Sequence, residues 1–149
     1  MRRGGTFTLV AEAAAESVDG NSVNRGRVGE VLKRAGEVQE EADRVLGFLV
    51  AECGRRKIGH IITIDVRSEA RRHRVGSALL DAAELRLRSA QCPLVRLETA
   101  VDNVAALLFY KRRGYNVLET FPRYYSNGMD ALLLEKDLLL PVVSTDVLR

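Results

Sequence analysis

One stretch constrains this chain more than any other: the run from Ile58 to Thr99 reads as strand, helix and strand in unbroken succession. Ile58 to Val66 is rich in β-branched residues, which favour a pleated, half-buried strand. Val75, Ala78, Leu79, Ala82, Ala83 and Leu87 then recur at a 3.6-residue period, predicting an amphipathic helix that stops before Pro93. Leu94 to Thr99 is a strand again. A strand, helix and strand joined this way place the two strands parallel with a helical crossover. Between the first strand and the helix lie Arg67, Arg71, Arg72, His73 and Arg74. Cationic side chains oppose the positive end of the helix dipole, each by a few tenths of a kcal/mol. An external anion resolves that conflict.

The flanks are antiparallel in character. Val45 to Ala51 is a short apolar run, Gly54-Arg55-Arg56-Lys57 a polar turn, and Ile58 to Val66 its return, which predicts a hairpin. After Thr99, Asp102 or Asn103 caps a helix whose apolar face includes Val104, Leu107, Leu108 and Tyr110, with Gly114 at the αL position past its end. Tyr115 to Leu118 starts another strand. Asn127-Gly128, between Tyr124-Tyr125 and Met129 to Leu134, predicts a second hairpin. From residue 45 the order is therefore β, β, α, β, α, β, β, a mixed α/β sheet. Before residue 45 the pattern is weaker. Thr6 to Ala13 reads as a strand, Ser17 to Gly29 as a loop, and Val28, Val31, Leu32, Ala35 and Val38 as a helical stripe interrupted by Gly29 and Gly36.

Composition removes several classes of protein. At 149 residues the chain is read as one domain, with enough apolar content (46%) to form a core without metal or disulfide staples. No apolar run reaches the roughly 18 to 20 residues that span a bilayer, and the first residues lack a signal-peptide pattern, so no membrane association is expected. Two cysteines, Cys53 and Cys92, are too few for a disulfide framework or zinc site and are read as structural, reduced residues of a cytoplasmic protein. The net charge of +3 is gathered at one loop and not spread along an aromatic-studded face. That argues against nucleic acid and for a compact anion such as a phosphate. Neither histidine has metal-ligand company, so no metal is expected.

Three motifs in order carry a family resemblance. Arg71-Arg72-His73-Arg74-Val75-Gly76 follows a strand and opens a helix in the pattern Q/R-x-x-G-x-G/A, with Arg74 standing where the pattern has its first glycine. Leu97-Glu98, Asn103, Ala106, Tyr110, Gly114 and Tyr115 match a second block, and Tyr124-Tyr125, Gly128, Asp130 and Ala131 a third. On these residues the chain resembles the GNAT family of acetyl-CoA-dependent N-acetyltransferases, with RimI-type protein N-terminal acetyltransferases the nearest look. The resemblance covers about Val45 to Leu138 and implies the GNAT fold, a mixed sheet splayed beside the helix. It implies acetyl-CoA as cofactor, its diphosphate on the main chain of Arg71, Arg72, His73, Arg74, Val75, Gly76 and Ser77. Such an anion site uses orphan helix N–H groups together with the dipole. The pantetheine arm is expected along the backbone of Ile64, Asp65 and Val66.

The resemblance also implies roles at the reacting atoms. Glu98 becomes the general base for the acceptor amine, Tyr110 the acid that protonates the leaving sulfur, and Asn103 a cap with a cofactor contact. A solvent-facing Glu98 or one salt-bridged to Arg96, and a Tyr110 that only packs in the core, are the competing readings of the residues alone. Tyr124 and Tyr125 are expected to face the acceptor; on a strand their side chains alternate, so one reaches the site and the other packs. Asp130 reads as a structural hydrogen-bonding residue. The acceptor expected is a protein or peptide N-terminus, a ribosomal protein among them, with a small-molecule amine or a non-catalytic CoA- or nucleic-acid-binding module as alternatives. Two readings of the opening region stay open: Thr6 to Ala13 is the fold's second strand, followed by an insertion through Arg44, or the opening is a shortened, divergent one. The apolar tail from Leu138 to Val143 is expected to dock on the sheet or on a second subunit of a homodimer.

Overall fold

The computed structural model describes residues 5–13, 27–30, 44–71 and 73–139. Seven strands form one sheet: β1 (Thr6–Glu12), β2 (Arg27–Glu30), β3 (Val45–Cys53), β4 (Ile58–Val66), β5 (Leu94–Ala100), β6 (Asn116–Phe121) and β7 (Ala131–Asp137). Two helices, α1 (Val75–Ser89) and α2 (Val104–Arg112), follow β4 and β5, as the sequence order from residue 45 predicts. Across the sheet the strands run β2-β1-β3-β4-β5-β7-β6. Only β4 and β5 pair in parallel; the other neighbours are antiparallel.

Alternation along β1 sends Phe7, Leu9 and Ala11 inward, where they meet Leu49 and Ala51 of β3 and Ile61 of β4. Helix α1 covers that face. Its Leu79, Leu80 and Leu87 are fully buried, each stabilising the fold by roughly 1.5–3 kcal/mol relative to exposure. Leu80 and Glu84 belong to the inward face although the apolar period does not include them, and Ala78 faces out. Buried Glu84 is ion-paired with Lys136 of β7 at 2.5 Å, which offsets the charge of a carboxylate only 2% exposed. Helix α2 ends as expected: Gly114 takes φ 90°, and Tyr115 N–H donates to the Tyr110 carbonyl (3.0 Å).

The structure corrects two expectations. Arg27–Glu30 is a strand, not loop and helical stripe, because pairing with β1 (Leu9 opposite Glu30) outweighs the local turn signal of its glycine. The remaining stripe residues Val31, Leu32, Ala35 and Val38 lie outside the described residues. The expected tight hairpin at Asn127-Gly128 is a turn inside a longer connection, residues 122–130, so Tyr124 and Tyr125 sit on a loop and not on a strand. There Asn127 Oδ1 accepts from Met129 N–H (3.0 Å), Gly128 takes φ 80°, and Asp130 Oδ1 accepts from Arg123 N–H (2.8 Å). Asp130 is thus the structural hydrogen-bonding residue the sequence suggests. At the far end, Leu138 is buried and its N–H donates to the Pro93 carbonyl (2.9 Å); Pro141 to Val143 lie outside the described residues.

Candidate active site

The parallel ladder between β4 and β5 lasts three residue pairs, Ile58 with Leu94, Gly59 with Val95 and His60 with Arg96, and then stops. Its cause is local. In the β3–β4 register Thr63 faces Val50 and Ile61 faces Ala51, leaving Ile62 unopposed as a β-bulge. A bulge bends its strand and sharpens its twist, here carrying β4 away from β5. The wedge between them is a cavity of about 760 Å³. One wall is Ile61 to Ile64 with Val66, the other Leu97 to Ala100; α2 closes it with Asn103, Ala106, Phe109 and Tyr110, and the 122–130 loop contributes Tyr125. Beyond His60 the β5-facing main-chain groups of β4 have no strand partner, so the wedge offers an edge of free peptide donors and acceptors.

The mouth of the wedge is the start of α1. Its N-cap is Arg74, at φ 61° and ψ 19°, and the first intrahelical bond runs from Ala78 N–H to the Arg74 carbonyl (3.0 Å). The N–H groups of Val75, Gly76 and Ser77 therefore precede the helical ladder, and all three residues line the cavity. The first turn holds no acidic side chain. Arg74 thus adopts left-handed angles, not the ordinary helical ones an arginine takes freely, at a cost of about 1–2 kcal/mol. That requirement explains why a glycine suits the position. Arg71 lines the mouth too, its guanidinium Nε donating to the Val66 carbonyl (3.2 Å) at the end of the splayed strand. The amides of Arg71 and His73 are already engaged, donating to Arg67 (3.1 Å) and Ala70 (3.3 Å), so the free amides begin later than the sequence alone places them. His73 is exposed and outside the lining, and Arg72 lies outside the described residues.

Along β4, Ile64 and Val66 line the wedge and Asp65 does not. A methyl group added at Gly76 would stand 3.6 Å from Phe109 Cζ and 3.8 Å from Val66 Cγ2, ordinary contacts. The chain's own packing therefore does not demand glycine there.

Deeper in the wedge, Glu98 Oε2 lies 2.7 Å from His60 Nε2, and His60 Nδ1 lies 3.6 Å from Glu52 Oε1. Glu52, His60 and Glu98 thus form a row across three neighbouring strands. Arg96, the sequence-level rival for Glu98, instead donates to Glu135 Oε2 of β7 at 2.8 Å. His60 is the residue that sequence reasoning missed. The signal lies in the strand pairing: with His60 opposite Arg96 in the parallel ladder, it shares a face with the residue two positions on, Glu98.

Tyr110 is 7% exposed and lines the cavity, its ring edge-on to Phe109 and Tyr115 at 5.3 and 5.6 Å between centroids. Burial, with a smaller contribution from Tyr125, pushes its hydroxyl up to about 12. Tyr125 is also pushed up, first by burial, then by Tyr124 and Glu98. Tyr124 stays outside: it is 51% exposed and stacks on Phe121 at 5.9 Å. One tyrosine of the pair faces the cavity, on account of loop geometry and not strand alternation. Asn103 caps α2, its Oδ1 accepting from Ala106 N–H (3.2 Å), and borders the cavity as well. Among the described residues no cluster of His, Cys, Asp and Glu is arranged to hold a metal ion, and no helix is long and apolar enough to cross a membrane.

Taken together, the wedge has unbonded helix-start amides at its mouth, bare main chain along one wall, and Glu98 near the Tyr110 phenol inside, with His60 bonded to Glu98 from outside the lining. Comparison with known proteins agrees with that layout. The profile of the Acetyltransferase (GNAT) family matches residues 31–115, more than half of the chain. An uncharacterized N-acetyltransferase of Methanocaldococcus jannaschii is 38% identical over 100 residues, 66% of this chain and 64% of its own length. An N-alpha-acetyltransferase of Sulfurisphaera tokodaii is 34% identical over 79 residues, covering 52% and 47%. Among solved structures, Ard1 from Thermoplasma volcanium superposes with a TM-score of 0.63 at 35% identity, covering 67% of this chain and 68% of that one. The chain thus spans 64% and 47% of the length of these two curated relatives.

Proposed function

The chain belongs to the acetyltransferase (GNAT) family, enzymes that use acetyl-CoA, and from that premise we propose that it acetylates the α-amino group of a protein or peptide N-terminus. The observation that carries the reading is the three-pair ladder: β4 leaves β5 at His60, and the gap holds Glu98, Tyr110 and Tyr125 at one end and the Val75–Ser77 amides at the other. The N-terminal acceptor is supported by the relative described as an N-alpha-acetyltransferase. A ribosomal-protein acceptor of the RimI type is the narrower form of the same reading, and the cytoplasm is the compartment in which we place it.

The residues present fit the cofactor. The amides of Val75, Gly76 and Ser77, with the Arg71 and Arg74 guanidiniums beside them, suit a diphosphate: orphan donors, a helix dipole and cations converge on one point. The unpaired edge of β4 suits the amide groups of a pantetheine arm. Bound acetyl-CoA supplies an activated acyl thioester and a thiolate leaving group. Everything else falls to the chain. An α-ammonium has pKa near 8, so a modest base suffices to free its lone pair. Glu98 takes that proton, and His60, 2.7 Å away and a third exposed, relays it toward Glu52 and solvent. Tyr110 keeps its proton throughout the neutral range because its hydroxyl is pushed up to about 12, and holds it ready for the departing sulfur. Tyr125, which lines the cavity, is the residue we assign to contact the acceptor.

The test is an acetylation assay read by mass spectrometry on peptides with free and with blocked N-termini, with polyamines alongside. Free N-termini should gain one acetyl group and blocked ones none. Acetylation of polyamines alone would replace the acceptor; no acetylation of anything, with acetyl-CoA bound, would remove the catalytic reading.

A further inference from the structure

Away from the wedge, the two cysteines meet. Cys53 ends β3 and is half-buried; Cys92 lies between α1 and β5 and is 1% exposed. Their sulfurs are 2.7 Å apart, closer than non-bonded sulfurs normally rest, although the residues are 39 positions apart in sequence. Both backbones are fixed where they stand. Cys53 pairs with Gly59 in the β3–β4 ladder, and Cys92 N–H donates to the Leu87 carbonyl at 2.9 Å. Lys57 Nζ donates to Gln91 Oε1 (3.3 Å), binding the same hairpin tip to the same junction. Neither cysteine lines the cavity. The sequence reading of two inert structural thiols does not account for a contact this close.

We propose that Cys53 and Cys92 form a reversible intramolecular disulfide that staples the β3–β4 hairpin to the α1–β5 junction. Closure is a short step: the sulfurs already stand 2.7 Å apart, against about 2.05 Å for the bond. The oxidant is a hydroperoxide. Half-buried Cys53 meets it first: with hydrogen peroxide, its thiolate sulfur takes one peroxide oxygen, the O–O bond breaks, and the departing hydroxide leaves as water with the proton the thiol gave up, giving a sulfenic acid. Cys92 sulfur then attacks Cys53 sulfur; the S–S bond forms and the sulfenic hydroxyl departs as a second water carrying the Cys92 proton. Burial first, and then the contact with Cys53, hold the Cys92 thiol up at about 12, so the peroxide step falls to Cys53 and Cys92 enters as the resolving thiol. Two thiols are oxidised by two electrons and one peroxide is reduced. A dithiol reductant reverses the step. The closed loop contains β4 and α1, so the staple tethers the elements that carry His60 and the anion cradle.

Treating the whole chain with one equivalent of hydrogen peroxide should remove two hydrogens from its intact mass and yield a Cys53–Cys92 linked peptide on digestion. The melting temperature should rise by roughly 10 °C and return on adding dithiothreitol. Cys53→Ala should show neither change. Two alkylatable thiols after oxidation, over-oxidised Cys53 without a link, or a link between chains would each overturn the proposal. If Cys53→Ala fails to fold, the peptide map of the unaltered chain decides alone.

Discussion

The two ends of the β4–β5 pair use the same strands for opposite purposes. At the closed end, Ile58 to His60 pair with Leu94 to Arg96, and α1 comes so near that a Cβ on Gly59 would stand 2.8 Å from Leu87 Cδ1 and 3.2 Å from the Leu94 carbonyl. At the open end, one bulged residue ends the ladder, and the space gathers the Glu98 carboxylate and the Tyr110 and Tyr125 phenols, with His60 at the boundary bonded to Glu98. Close packing tolerates no added methyl at the first end. At the second, unsatisfied main chain is tolerated because a ligand can satisfy it. Stability and chemistry are thereby separated by a few residues along one strand.

Substitutions should respect that division. Glu98→Gln is expected to lower the acetylation rate by about 10²–10³, the range of a lost general base, while leaving the melting temperature within a few degrees; a rate unchanged in a steady-state assay would take Glu98 out of the mechanism. Gly59→Ala should do the reverse, costing about 2 kcal/mol of stability in a urea titration because Leu87 and a strand carbonyl must yield. Normal stability there would mean that the closed end is softer than its contacts suggest. Tyr110 allows a pH test. Its folded value lies near 12 against about 10 unfolded, so its contribution is fully present below pH 10 and is lost as pH rises through 12. Its share of the alkaline loss is on the order of 2 kcal/mol, and Tyr110→Phe should flatten that part of the curve while slowing turnover at pH 7. Smallest, Arg74→Gly should raise stability by about 1 kcal/mol by relieving the left-handed backbone, measured by the same urea titration. The same variant tells whether the arginine charge or the glycine geometry matters more for binding acetyl-CoA.

Much of this division is legible in the sequence, but unevenly. The β-branched run, the helical period and Pro93 identify the crossover unit because each is a local signal. Glu98 and Tyr110 stand out through motif spacing. His60 does not, since its importance comes from pairing with a strand more than 30 residues later, and no local pattern records that. The left-handed Arg74 is invisible for a related reason: the residue type there argues for ordinary angles, and only the placement of α1 against the sheet dictates otherwise. Strand β2 is lost because its evidence is a partner strand rather than its own residues.

The shortness of the parallel ladder has a mechanical consequence. The sheet consists of two antiparallel ribbons, β2-β1-β3-β4 and β5-β7-β6, and within the sheet itself only three residue pairs join them. Whatever lodges in the gap and bonds to the bare edge of β4 acts as a surrogate strand, so occupancy welds two half-sheets into one and makes the rigidity of the whole fold a gauge of what it holds.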